Sequence, residues 1–334
     1  MLEAYSQCAL RKNQTRSEDV SGHDDKTDPI KLFHDLRQLF DPDLPLHLLK
    51  GEEPGMDIHL FIHEFSKQFG TKPRIIHPAD LRLLHDPSHP SGYRLFCKTE
   101  KQENAVVSEK QAVANDPCHD ESVEEVHQIG LELHQHELAA LTPEMQRQIS
   151  LLCFNDMRSV LLVHDKRMLG IIRQEIPNML SREVITQSQA DALKWGIVET
   201  VLSKSLEAQS LLQNSQSHPN LKNDYILKPI RSGKGDGIIF GEDLTDYEWI
   251  NKLEGLQSIN TQSLGTSYVA QRRIVPLLYN LTLNLGDGET QYPLVGTYHV
   301  VNGKFVGTGI WRSSLDRVVA VTHGGAWLSS VTCE

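Results

Sequence analysis

Apolar residues first recur at helical spacing at Ile30, Leu32, Phe33, Leu36, Leu39 and Phe40. The 28 residues before them are polar and charged with few apolar anchors, so a disordered tail is expected there. A second helix is predicted after Pro54-Gly55, with Ile58, Phe61, Ile62, Phe65 and Phe69 on one face and Gly70 as its stop. Arg74–Ile76 and Tyr93–Cys97 read as short strands. The polar, weakly periodic stretch 98–122 reads as an insertion or surface loop. The pattern recovers with strand character around Val126, Ile129 and Leu131, then helical segments over Glu137–Leu152. Ser159–His164 is a continuous apolar run and predicts a strand leading into a helix from Asp165. Gln189–Leu212 predicts one long amphipathic helix, and Asn214–Asn223 a polar linker.

Beyond residue 224 the pattern changes to strands: Tyr225–Ile230, Ile238–Phe240, Tyr268–Val275, Leu294–Val301 and Lys304–Trp311. The last two flank Asn302-Gly303, a strong hairpin signal. A helix-rich first half with short strands, followed by a β-rich final third, predicts an α/β or α+β protein with two lobes. The expected organisation is a tail over 1–28, an N-terminal α/β domain over 29–160, and a second domain over 161–334.

Composition narrows the function classes. The chain has 334 residues with 33 Lys plus Arg, 44 Asp plus Glu and a formal charge of −11. That argues against a general nucleic-acid binder, and an acidic chain that binds a polyanion must gather its cations locally. There is no apolar run long enough for a membrane span and no apolar signal-peptide core, so a cytoplasmic protein without membrane or nucleic-acid partners is expected. Five widely spaced cysteines without a C-x-x-C pair give no framework for zinc or disulfides. His59/His63, His85/His89 and His134/His136 lack a convincing further ligand, and none has the His-Glu-x-x-His order.

The run Tyr225-Ile-Leu-Lys228-Pro-Ile-Arg-Ser-Gly233-Lys234-Gly235-Asp-Gly237-Ile-Ile-Phe240-Gly241 carries the chemistry. Alternate glycines between two strands let backbone N–H groups approach an anion. Lys228 stands at the strand end and Lys234 at the loop tip. The glycine spacing is neither that of a phosphate-binding P-loop nor that of a kinase loop, and a strand rather than a Rossmann helix follows. His164-Asp165-Lys166-Arg167 places Lys166 near a helix N-terminus, where anions are favoured, and His164 beside it. Tyr268-Val-Ala-Gln271-Arg272-Arg273-Ile274 reads as an edge strand able to pair with an adenine. Gly307-Thr-Gly-Ile-Trp-Arg312 sets another arginine at a strand end.

Taken in order, these segments resemble the ATP-grasp superfamily, in particular the glutathionylspermidine-synthase-like branch and related fungal and bacterial ligases. The matching text is 154–172, 225–241, 268–275 and 294–314, roughly the second half of the chain. The resemblance implies an ATP-grasp domain over 161–334, following a pre-ATP-grasp-like region. It implies a ligase that uses ATP and Mg²⁺ to join a small-molecule carboxylate to an amine through an acyl phosphate, in specialised metabolism. Lys166 and Lys228 would hold the phosphates, and Gly233, Lys234, Gly235 and Gly237 would form the covering loop. Gln271, Arg272, Arg273 and Ile274 would line the adenine, and Arg312 would act in catalysis. The family's acidic Glu-x-Asn pair is absent, so the metal ligands stay unassigned among candidates such as Asp156, Asp236 and Asp287. A degenerate nucleotide-binding protein and a phosphoryl or nucleotidyl transferase are the alternatives.

Overall fold

The computed structural model describes residues 29–53, 55, 57–99, 122–155, 157–257, 267–283, 288–321 and 324–328. The expected tail, most of the 98–122 insertion, Asp156 and Asp287 lie outside them. By its contacts the chain divides into two units. One is 1–160 with 298–309 and 329–334; the other is 161–297 with 310–328.

The first unit opens with α1 (Pro29–Arg37), β1 (His47–Lys50), α2 (Asp57–Phe69) and β2 (Arg74–Ile76). Gly70, in the left-handed region at φ 70°, ends α2 as its place in the pattern predicts. There follow β3 (Leu81–His85), β4 (Tyr93–Lys98), β5 (Val123–Glu125), β6 (Ile129–Glu132), α3 (Gln135–Ala140) and α4 (Pro143–Leu152). Strands order β2-β1-β6 in a parallel sheet and β3-β4-β5 in an antiparallel one. Leu49, Ile76, Leu81, Leu95, Cys97, Val126, Ile129 and Ile149 form one core, while Leu46, Leu48 and Ile58 form another under α2.

Ser159–His164 departs from the strand expectation. Met157–Leu162 is a helix, α5, and Leu162 and Val163 are exposed. The Asn155 side chain bridges both backbone groups of Leu131, and Cys153 Sγ accepts from the Met157 amide, so the chain turns into a helix here. An apolar run containing two leucines suits a helix as readily as a strand, and no strand pairs with it among the described residues.

The second unit contains α6 (Arg167–Ser181), α7 (Gln187–Gly196), β7 (Thr200–Val201), α8 (Leu206–Ser217), β8 (Tyr225–Pro229), β9 (Ile239–Phe240), α9 (Asp246–Gln257) and β10 (Tyr268–Arg272). The long helix expected over 189–212 is two helices. Gly196 ends the first, and the β-branched stretch that follows forms β7 against β10. The expected linker is the end of α8 plus a 3₁₀ turn, Pro219–Asp224. The sheet order β7-β10-β8-β9 is antiparallel throughout. Its core is Trp249, Leu253 and Leu256 of α9 with Ala208 and Leu211 of α8, packed on Val201, Tyr225, Leu227 and Ala270. Helix α6 lies so close to β7 that a Cβ on Gly170 would stand 2.7 Å from the Thr200 carbonyl oxygen and 2.6 Å from Leu202 Cδ2.

The remaining strands are β11 (Leu278–Leu281), β12 (Thr290–Pro293), β13 (Val295–Val301), β14 (Lys304–Ser313) and β15 (Ala326–Leu328). Asn302 and Gly303, at φ 48° and 74°, make the turn between β13 and β14 that their identities predict. Helices and mixed sheets together give the α+β class that the sequence predicts.

Candidate functional site

Strand alternation sets the first lysine. Tyr225, Leu227 and Pro229 of β8 face one way, Tyr225 and Leu227 into the core, so Lys228 projects on the opposite face. The second lysine, Lys166, is the N-cap of α6, which begins at Arg167 rather than at Asp165 as expected. Its amide donates to the Ile230 carbonyl at 2.9 Å, and its ammonium donates to the Ser232 carbonyl at 2.6 Å. Lys166 is thereby stitched at both ends to the segment leaving β8. The two lysines, Pro229, Ser232, Gly233, Lys234, Gly235, Asp236 and Ile238 line a cavity of about 180 Å³.

The loop between β8 and β9 is a chain of left-handed turns: Lys234 at φ 57°, Gly235 at 90° and Gly237 at 71°. The Asp236 amide donates to the Gly233 carbonyl at 3.0 Å. At Gly235 a Cβ would meet Val318 Cγ1 at 2.2 Å, and at Gly237 it would meet Pro229 Cγ at 2.8 Å, whereas Gly233 faces open space. Two of the glycines are thus dictated by both φ and contact, and Gly233 by neither.

Two like charges meet at the cavity. Burial pushes the Lys228 ammonium below its ordinary range, and the neighbouring charge of Lys166 pushes it the same way. Burial also lowers Lys166, with Asp165 opposing. Like charges drawn together and partly desolvated are stabilised by an anion placed between them. Asp165 does not neutralise them, because its carboxylate is spent on arginines. It accepts from the Arg167 amide at 3.0 Å, from the Arg167 guanidinium at 2.9 and 2.5 Å, and from Arg231 Nε at 3.4 Å. The Arg167 hydrogen bond, first among these influences, lowers the Asp165 carboxyl to about 2. Through the buried Asp165 this fork ties the start of α6 to the residues after β8. Asp165, Arg231 and Ser232 were not singled out from sequence; the carboxylate directly before a helix-capping lysine was the available signal.

Other expected residues fall elsewhere. His164 is exposed and does not line the cavity. Strand β10 is interior, paired with β7 on one side and β8 on the other, so it is not the edge strand expected. Gln271 is buried and its amide donates to Thr200 Oγ1 at 2.9 Å. Arg272 pairs with Asp224 at 3.3 Å and stacks over Tyr225. Arg273 pairs with Glu242 and stacks over Phe240. Ile274 is exposed just beyond the strand end, which comes at Arg272 rather than Val275. Arg312 sits on β14 opposite Trp327, outside the cavity lining; its Nε is buried without a hydrogen-bond partner among the described residues.

The lining residues suit a phosphate chain: two half-buried lysines, a third at the loop tip and a glycine loop whose amides can turn inward. They suit a magnesium ion less well, since Asp236 supplies the one carboxylate among the lining residues, against three lysines.

Residues 1–162 match the family model described as the AnkG N-terminal domain. The ATP-grasp enzyme ankG of Aspergillus thermomutatus is 35% identical over 294 residues, 88% of this chain and 60% of that protein. The chain thus spans about three fifths of the length of this curated relative. Among solved structures, it is similar to a glutathione synthetase-like effector, GSS30, of Globodera pallida in its apo form. The identity is 13% and the TM-score 0.47, over 89% of this chain and 59% of that one. No helix among the described residues is long and apolar enough to cross a membrane. Over the 294 matched residues the chain is similar to an ATP-grasp enzyme, the superfamily that its lysine, glycine-loop and arginine segments resemble.

Proposed function

We propose that the cavity over Lys166 and Lys228 holds the phosphates of ATP, and that the chain serves an ATP-dependent ligation of a small-molecule carboxylate to an amine. The observation that carries this reading is the pair of half-buried lysines under a left-handed glycine loop. In the proposed reaction a carboxylate oxygen attacks the γ-phosphorus, ADP departs, and an acyl phosphate forms. The amine nitrogen then attacks the acyl carbon, phosphate leaves with the bonding electrons, and the nitrogen loses a proton. Charge grows on the phosphate oxygens during the first step, and Lys228 and Lys166 stand where that charge would be held. The loop 233–237 would cover the phosphates and exclude water from the acyl phosphate. Magnesium would supply further charge neutralisation when bound, although Asp236 is the one carboxylate among the lining residues. Specialised metabolism is the proposed setting.

The single lining carboxylate favours one other reading, a nucleotide-binding protein without turnover. Incubation with ATP, Mg²⁺ and a panel of amino acids and amines separates the two. Substrate-dependent release of ADP and phosphate supports the ligase. ATP binding with no turnover across the panel supports the second reading, and absence of ATP binding overturns both.

A further inference from the structure

In the first unit, far along the chain from the lysines, three metal-ligating side chains converge. His47 on β1, Cys97 on β4 and Glu124 on β5 place one ligand atom each within 4.8 Å of one another. His47 Nε2 lies 2.6 Å from Glu124 Oε1, and Cys97 Sγ lies 3.8 Å from the same oxygen. His47 and Cys97 are 1% and 0% exposed, and His47 Nδ1 finds no hydrogen-bond partner among the described residues. Glu124 is partly exposed and provides the approach from solvent.

We propose that His47, Cys97 and Glu124 form a binding site for a divalent transition metal of the zinc type, which the Arg74 guanidinium occupies when metal is absent. The donor set carries the argument. One imidazole, one thiol and one carboxylate are the ligands that zinc takes, and bonds of about 2.0–2.3 Å put tetrahedral ligand atoms about 3.3–3.8 Å apart. The His47–Glu124 separation has to open by less than 1 Å to reach that spacing, and the Cys97–Glu124 separation already lies in it. Arg74 has a cation's role now: its guanidinium donates to Glu124, to Cys97 Sγ at 3.3 Å and to the Lys98 carbonyl at 2.6 Å. It is partly exposed, so it can withdraw from Glu124 and Cys97 towards solvent. A bound metal would clip β1 of the parallel sheet to β4 and β5 of the antiparallel one.

The test uses the full chain, stripped with chelator and titrated with Zn²⁺ alone and with Co²⁺ alone. One tight equivalent is expected, with a sulfur-to-cobalt charge-transfer band in the near ultraviolet and a rise in Tm with Zn²⁺. Cys97→Ser is expected to lose the band. Glu124→Gln is expected to weaken Zn²⁺ binding at least tenfold, with a thermal melt of the metal-free variant showing that it folds. Arg74→Gln removes the competing cation and is expected to bind Zn²⁺ more tightly than the parent. Absence of a tight equivalent, a band that survives Cys97→Ser, or unchanged affinity in Glu124→Gln overturns the proposal.

Discussion

Replacing Gly235 by alanine puts one methyl group where the fold has no place for it. The residue sits at φ 90°, and the new Cβ would lie 2.2 Å from Val318 Cγ1 and 3.3 Å from Val318 Cβ. A non-glycine residue in the left-handed region costs about 1–2 kcal/mol. Overpacking relieved by turning or displacing Val318 costs about 1–3 kcal/mol more. Relief in the surrounding loop takes back part of this, leaving about 2–4 kcal/mol against the loop conformation that lines the cavity. If ATP binds only to that conformation, its affinity falls roughly 30- to 700-fold at 1.4 kcal/mol per decade. Gly233→Ala is the matched control, because its Cβ would meet nothing within 4 Å. Titration of a fluorescent ATP analogue gives the affinities, and thermal melts report whether the rest of the fold is intact. Affinity within twofold of the parent for Gly235→Ala, or equal losses in the two variants, refutes the reasoning.

Lys228→Met is expected to weaken ATP binding by about 10- to 150-fold, the value of a charge-assisted hydrogen bond of about 1.5–3 kcal/mol. Because burial lowers the Lys228 ammonium, ATP affinity in the parent should begin to fall at a lower alkaline pH than an ordinary lysine would give. The variant's profile should be flatter there; superimposable profiles count against Lys228 as a phosphate ligand. Asp165→Asn is expected to cost about 2 kcal/mol in urea unfolding at neutral pH, from a carboxyl lowered from 3.8 to about 2. A carboxyl depressed in the folded state stabilises above its unfolded value and ceases to as pH falls through the folded one. The gap between parent and variant should therefore narrow from about pH 4 and be nearly closed by about pH 1, and a gap undiminished at pH 2 refutes the assignment.

The lysines and the glycine loop were legible because local rules determine them. A strand's alternation orients Lys228, a helix start holds Lys166, and positive φ demands glycine at 235 and 237. What was not legible depends on partners distant in sequence. The 159–164 run suits helix and strand alike, and the chain enters its helix from Asn155, whose side chain is tied to Leu131, 24 residues upstream. The sequence of β10 suits an edge strand with Gln271 facing a ligand, and only the pairing of β7 with β10 turns its amide to Thr200. The proposed metal site likewise joins His47 and Glu124 to Cys97 across 50 and 27 positions, which no short spacing motif spans. Spacing rules capture ligands on one turn or one loop and miss those assembled by two sheets.

Gly170 acts as the fulcrum of a lever. It lies four residues from Lys166, about 6 Å along a helix whose full length is about 22 Å. There the backbone of α6 rests almost directly on β7. A methyl at this point would pry the helix off the strand, and a tilt of a few degrees would be felt at the lysine on one arm and through Pro177 on the other. The seat of α6 on β7 at Gly170 thus sets where Lys166 stands over the cavity.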